Sequence, residues 1–206
     1  MLSIFNFSTD YATDNSMNLV KVGAYKALLR SEIQTLPINY FDVFESLKYS
    51  ITKMYVFSYQ ILSESLHRPI EDYMKGCGDY GAIFCSRPTS YRIIYNDIWP
   101  EDVKNWVLLS LYACAELDMV PINGLVKYSE DMDDAVNNFV YHFLSPDPVL
   151  KECGIYSAKD IAASCCMPLK NAVAKSRHLK RTRRDDDTLF DICLTYNFSS
   201  FIDSHK

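Results

Sequence analysis

Three side chains able to do chemistry, Ser110, Cys114 and Asp118, recur every four residues in the stretch "WVLLSLYACAELDMV". On an α-helix this spacing sets a hydroxyl, a thiol and a carboxylate along one stripe. With Asp134 or His142 brought up from the following helix, the stripe would offer a metal site. With Cys114 as nucleophile and His142 as base, it would offer a hydrolase pair. The surrounding residues argue against both. A nucleophilic thiol needs a neighbour that holds it as thiolate, and the sequence shows none. The four His, at 67, 142, 178 and 205, have no ligand spacing. His142 falls on the polar side of its helical pattern, where exposure is expected. Cys114 then reads as a small buried apolar residue, and Ser110 as a hydroxyl bonded back to its own helix. No metal and no cofactor are expected.

The elements that would position these groups follow from periodicity. A polar, aperiodic arm covers 1–17, and a helical pattern runs from Leu19 to about Gln34. After Pro37, "INYFDVFESLKYS" is spaced for a second helix, and "ITKMYVFSY" has strand composition. The segment 60–80 reads as a short helix ending in a glycine-rich turn. "GAIFCS" and "YRIIYN", flanking "RPT", predict a β-hairpin. Pro100, Glu101 and Asp102 suit a helix's first turn. The helix they open is apolar nearly all round, so it belongs in the middle of the fold. A further helix is expected from an N-cap at Ser129 to Pro146 and Pro148. "SAKD" caps a short helix, "CCMP" breaks it, and "LKNAVAKSRHL" makes another, a helix-turn-helix-like pair over 157–179. "TLFDICLTYNF" closes the chain with strand character.

Composition bounds the rest. The chain has 206 residues, 49% of them hydrophobic, enough for one domain with a substantial core and against wholesale disorder. A formal charge of −5 gives no global pull toward nucleic acid or anionic membrane. Seven Cys without a CxxC pair, no secretory signal and no apolar run of ~20 residues point to reduced thiols in a cytoplasmic protein.

In order and spacing, several segments resemble the ImmA/IrrE-like metallopeptidases of bacteria and their mobile elements. The family's "LPIDVFEIAKKLGI" is similar to "LPINYFDVFESLKYSI" from Leu36. Its hairpin strand "I-x-x-N" is matched by "YRIIYN", ending at Asn96. Its "F-T-L-A-H-E-L-G-H" helix is matched in position by the stretch opening at Trp106. Its "E-A-N-x-F-A-x-x-L-L-M-P" is similar to "AVNNFVYHFLSP", which keeps Asn137, Phe139, Leu144 and Pro146. Its closing "L-A-x-x-F-G-V-S" and helix correspond to "IAASCCMP" and "LKNAVAKSRHL". The resemblance implies a zincin-like α+β domain over 18–180: helices, a small antiparallel sheet, a C-terminal helix-turn-helix-like pair, and an extension over 181–206. It also implies which positions should act. Two His of one helix face and a later Glu would bind zinc, and the Glu after the first His would take a proton from water. Those positions here are Ser110, Cys114, Ala135 and Leu111, and none can do that work. The expected function is therefore that of a catalytically inactive relative. It would bind another protein as regulator or inhibitor, encoded by a phage or mobile element, and act on a repressor or on a host defence component in the anti-CRISPR manner.

Two surfaces offer partners. Tyrosines crowd the first half, and Tyr55, Tyr59, Tyr73, Tyr80 and Tyr91 are expected to form a protein-binding patch, since tyrosine pairs a rigid apolar body with a polar tip. The alternative partner is DNA, met by Lys175, Arg177, Arg181, Arg183 and Arg184 within 157–184, although Asp185 to Asp187 partly cancel that charge. A third reading keeps a hydrolase rebuilt at Ser110 and Cys114. Small-molecule and membrane partners are not expected.

Overall fold

In the computed structural model, residues 9–181 and 188–206 are described. The first helix, α1 (Thr9–Arg30), begins inside the stretch expected as an arm and ends four residues before Gln34. After it come α2 (Tyr40–Ser46), with a 3-10 turn at Leu47–Tyr49, and β1 (Lys53–Ser58). The segment 60–80 holds two short helices, α3 (Tyr59–Leu66) and α4 (Ile70–Cys77), separated where His67 adopts a left-handed φ of 52°. The expected hairpin is β2 (Gly81–Arg87) and β3 (Ser90–Tyr95). Helix α5 (Glu101–Glu116) follows, buried without a break from Asn105 to Ala115, which is why it shows no polar face.

The sheet differs from expectation in two ways. Its strand order is β1-β3-β2-β4, with β4 a three-residue strand at Leu125–Lys127. It is also mixed: β1 runs parallel to β3, while β2 is antiparallel to β3 and β4. The parallel pairing has a simple cause, because α3, α4 and β2 intervene between β1 and β3 and return the chain to the same end.

Helix α6 (Asp134–Leu144) starts five residues after Ser129. Its cap is Asp133, whose carboxylate accepts the Ala135 amide at 2.8 Å. Pro146 and Pro148 do not simply end it. They open α7 (Asp147–Glu152), where a missing N–H costs nothing in the first turn. The expected helix pair is α8 (Ala158–Cys165), capped by Ser157, and α9 (Leu169–Arg181), with Cys166 at φ 46° between them. The last two elements are α10 (Leu189–Asn197) and α11 (Ser199–Asp203). Here the expected strand is a helix. Thr188 and Asp191 form a capping box, and packing against α1 and α7 overrides the β-leaning composition.

The core gathers Tyr25 and Leu28 of α1, Ile83 and Ile93 of the sheet, and Tyr112, Phe139 and Phe143 of α5 and α6. One polar residue pins three parts of this frame. Asn105, buried at the start of α5, donates to the Ile38 carbonyl at 2.9 Å and the Cys166 carbonyl at 3.3 Å. Its oxygen accepts the Tyr40 amide at 2.8 Å. The chain is a mixed α+β fold in which, among the described residues, no helix is long and apolar enough to cross a membrane.

Candidate functional site

The α5 stripe comes first. Ser110 is fully buried, and its hydroxyl donates to the Trp106 carbonyl at 2.8 Å, the backward bond expected of an isolated helix serine. Leu111 is fully buried in the core. Burial pushes the Cys114 thiol up to about 11, with a backbone hydrogen bond acting weakly the other way, so at neutral pH it is the inert protonated form. Asp118 does not extend the stripe: the helix ends at Glu116, and Asp118 turns away exposed at φ 55°. Ala135 sits half-buried in the first turn of α6. All seven Cys are free thiols, the adjacent Cys165 and Cys166 included. Among the described residues, no three His, Cys, Asp or Glu side chains are grouped to hold a metal ion.

The five tyrosines do not share one patch. Tyr59 is fully buried, donates to the Gly78 carbonyl at 2.7 Å and stacks on Tyr73 at 6.0 Å. Tyr80 stacks on Trp99 at 4.7 Å and donates to Glu130 at 3.0 Å. Tyr91 is half-buried against the core. Tyr55 alone is broadly exposed, at 48%. It borders a groove of about 570 Å³ along β1, whose walls include Tyr40, Phe41, Phe44, Met54, Val56 and Ile61. Phe41 and Ile61 are exposed as well. In the sheet order β1 is an edge strand, with no strand beyond it among the described residues. The Lys53 amide donates inward to the Thr89 carbonyl at 2.7 Å, so by strand alternation the backbone groups of Met54 and Val56 face the open side.

The basic set divides too. Lys175 is 0% exposed, and no phosphate backbone can reach it. Its position explains the error: Ala172, Ser176 and Leu179 are buried on the same side of α9, and Lys175 lies in step with Ala172 and Leu179. Arg177 and Arg181 are exposed; Arg183 and Arg184 lie outside the described residues.

What holds Lys175 is a cluster of charged side chains gathered around Asp147. Its ammonium forms a close ion pair with Asp147 Oδ1, and it lies 4.3 Å above the Tyr141 ring. The other carboxylate oxygen, Oδ2, meets Lys21 Nζ at 3.2 Å, His178 Nε2 at 3.3 Å and His142 Nδ1 at 3.9 Å. The Tyr25 hydroxyl accepts the Asp147 amide at 3.1 Å. Asp147 and His142 are buried, so His142 is not the exposed residue its pattern suggested. Burial alone would raise the Asp147 carboxyl. Lys175, His178, His142 and Lys21 together outweigh it and hold the group well below the usual carboxylate range. Burial, then the positive field of Lys175, push His142 well below an ordinary histidine, so it is neutral. Burial also lowers Lys175, with Asp147 opposing.

Above this cluster a cleft of about 820 Å³ lies between α6 and α9, with Lys21 of α1 on its rim. Sequence reasoning missed it, although a signal existed: Lys170, Ala174 and His178 on α9, and Asn137, Asn138, Tyr141 and His142 on α6, repeat at helical spacing. Compared with known proteins, the chain matches no family model, no curated protein and no solved structure.

Proposed function

We propose that the chain is a catalytically inactive protein on an ImmA/IrrE-like scaffold that binds an extended segment of a partner protein, as a regulator or inhibitor of the kind phages and mobile elements encode. The observation that carries this is the groove along β1. An open strand edge offers backbone donors and acceptors in register, and the flanking Phe41, Tyr55 and Ile61 offer apolar surface for alternate side chains. The α5 stripe supports the inactive half: its hydroxyl is bonded within the helix and its thiol is buried and protonated.

The test pairs two measurements on the full chain. A peptide library is selected against the wild type and against Phe41→Asp/Ile61→Asp. Enrichment of peptides with alternating apolar residues on the wild type alone is the expected result. No enrichment, or equal enrichment on the variant, refutes docking at β1. Elemental analysis of protein purified without chelator addresses the inactive scaffold, and one zinc per chain refutes it.

A further inference from the structure

The α6–α9 cleft takes no part in that docking, and its chemistry is different. Its volume, about 820 Å³, is that of a small-molecule site. Around the single carboxylate of Asp147 stand two ammonium groups, Lys21 and Lys175, so cations outnumber the carboxylate there. At the far end of the cleft Lys170 is balanced by Glu130, 3.8 Å away. The surplus therefore sits at Asp147.

It is also presented to a ligand. Lys175 is sealed, but the Lys21 and His178 side chains are 28% and 36% exposed. An ammonium has three N–H donors and Asp147 occupies one, so Lys21 keeps donors for a second anion. His142 supplies an independent sign. It is buried and borders the cleft, and its Nδ1, facing Asp147 Oδ2 at 3.9 Å, is beyond hydrogen-bond reach of it. A buried ring nitrogen left without a bond is rare where packing alone sets the residue type. Lysine and histidine recognise a compact anion, whereas a planar carboxylate is better matched by the arginine fork, and no arginine lines the cleft. The remaining lining includes Trp106 and Tyr128 beside the amides of Asn137 and Asn171.

We propose that this cleft binds a small phosphorylated ligand carrying a planar ring, in chemical class a nucleotide, with its phosphate at Lys21 and His178 beside Asp147 and its ring against the Trp106–Tyr128 wall. The cations supply attraction and placement, the aromatic wall supplies contact area, and the amides read the ring edge.

Titration calorimetry on the full chain tests this with nucleoside monophosphates, inorganic phosphate and free nucleosides as probes. The expected result is saturable binding of at least one nucleoside monophosphate, tighter than phosphate and tighter than its own nucleoside. Lys21→Ala and His178→Gln should each weaken it by about tenfold, the size of one lost charged contact. Arg177→Ala, at an exposed position of α9 outside the cleft lining, should leave it unchanged. Lys21→Met repeats the test with the aliphatic stem kept, so that loss of binding is separable from loss of folding, which circular dichroism monitors. The proposal is overturned if no monophosphate binds saturably, if Lys21→Met and His178→Gln leave binding intact, or if a nucleoside binds as tightly as its phosphate.

Discussion

Two places in this molecule bury polar side chains, and they do so in opposite ways. On α5, Ser110 and Cys114 sit where the family resemblance would put chemistry, yet each is provided for locally, the hydroxyl by its own helix and the thiol by staying protonated. At Asp147, side chains from α1, α6, α7 and α9 converge on one carboxylate, and the cluster touches an open cleft. The first arrangement can be lost with little consequence. The second exists only because distant segments are brought together, and a hydrophobic core would be simpler to build. Residue type at an expected position is a weaker sign of a site than charged groups assembled from afar.

Mutations can break this contrast at either end. The largest effect is expected from Asp147→Ala, which strands the buried Lys175 ammonium. Chemical unfolding should show a loss of about 3–5 kcal/mol, whereas the double variant Asp147→Ala/Lys175→Met should recover much of it. Asn105→Ala should cost about 2–3 kcal/mol in the same experiment, because two carbonyls and one amide lose a buried partner. Acid comes next. His142 is neutral in the fold with its proton affinity depressed below the ordinary 6.5, so the unfolded chain takes up a proton first and stability falls as pH drops below about 6.5. The slope from this one group is at most about 1.4 kcal/mol per pH unit, and His142→Gln should flatten it. Asp147 acts in the same direction at lower pH: its stabilising contribution, present above the unfolded value near 3.8, is lost as pH falls toward its depressed folded value. The smallest effect belongs to Ser110→Ala, within about 0.5 kcal/mol, since the bond it removes lies within one helix. A large loss there would erase the distinction between the two regions.

Much of the frame was legible in the sequence. The hairpin was marked by two β-rich runs around "RPT", and α5 by apolar residues on every side with Glu101 and Asp102 at its start. The short β4 had no period to detect, since three residues cannot show alternation. Helix α10 was misread because Phe190, Ile192 and Thr195 weigh toward strand, while the deciding cap is the Thr188–Asp191 pair. The Asp147 cluster was hidden for another reason: its members are spread from Lys21 to His178, and no local spacing links them. Two hints were nonetheless present. Asp147 interrupts the apolar run "FLSPDPVL", and Lys175 lies in step with Ala172 and Leu179 on the apolar side of α9. A charge out of phase with its helix is worth pursuing even when its neighbours read as a basic surface.

Asn105 gives the molecule a mechanical property as well as a stabilising one. Its side chain grips the backbone of Tyr40, which walls the β1 groove, and also the turn from which α9 departs toward the second cleft. An occupant of the β1 groove that shifted the Tyr40 backbone would bear on the same side chain that also holds the Cys166 carbonyl before α9.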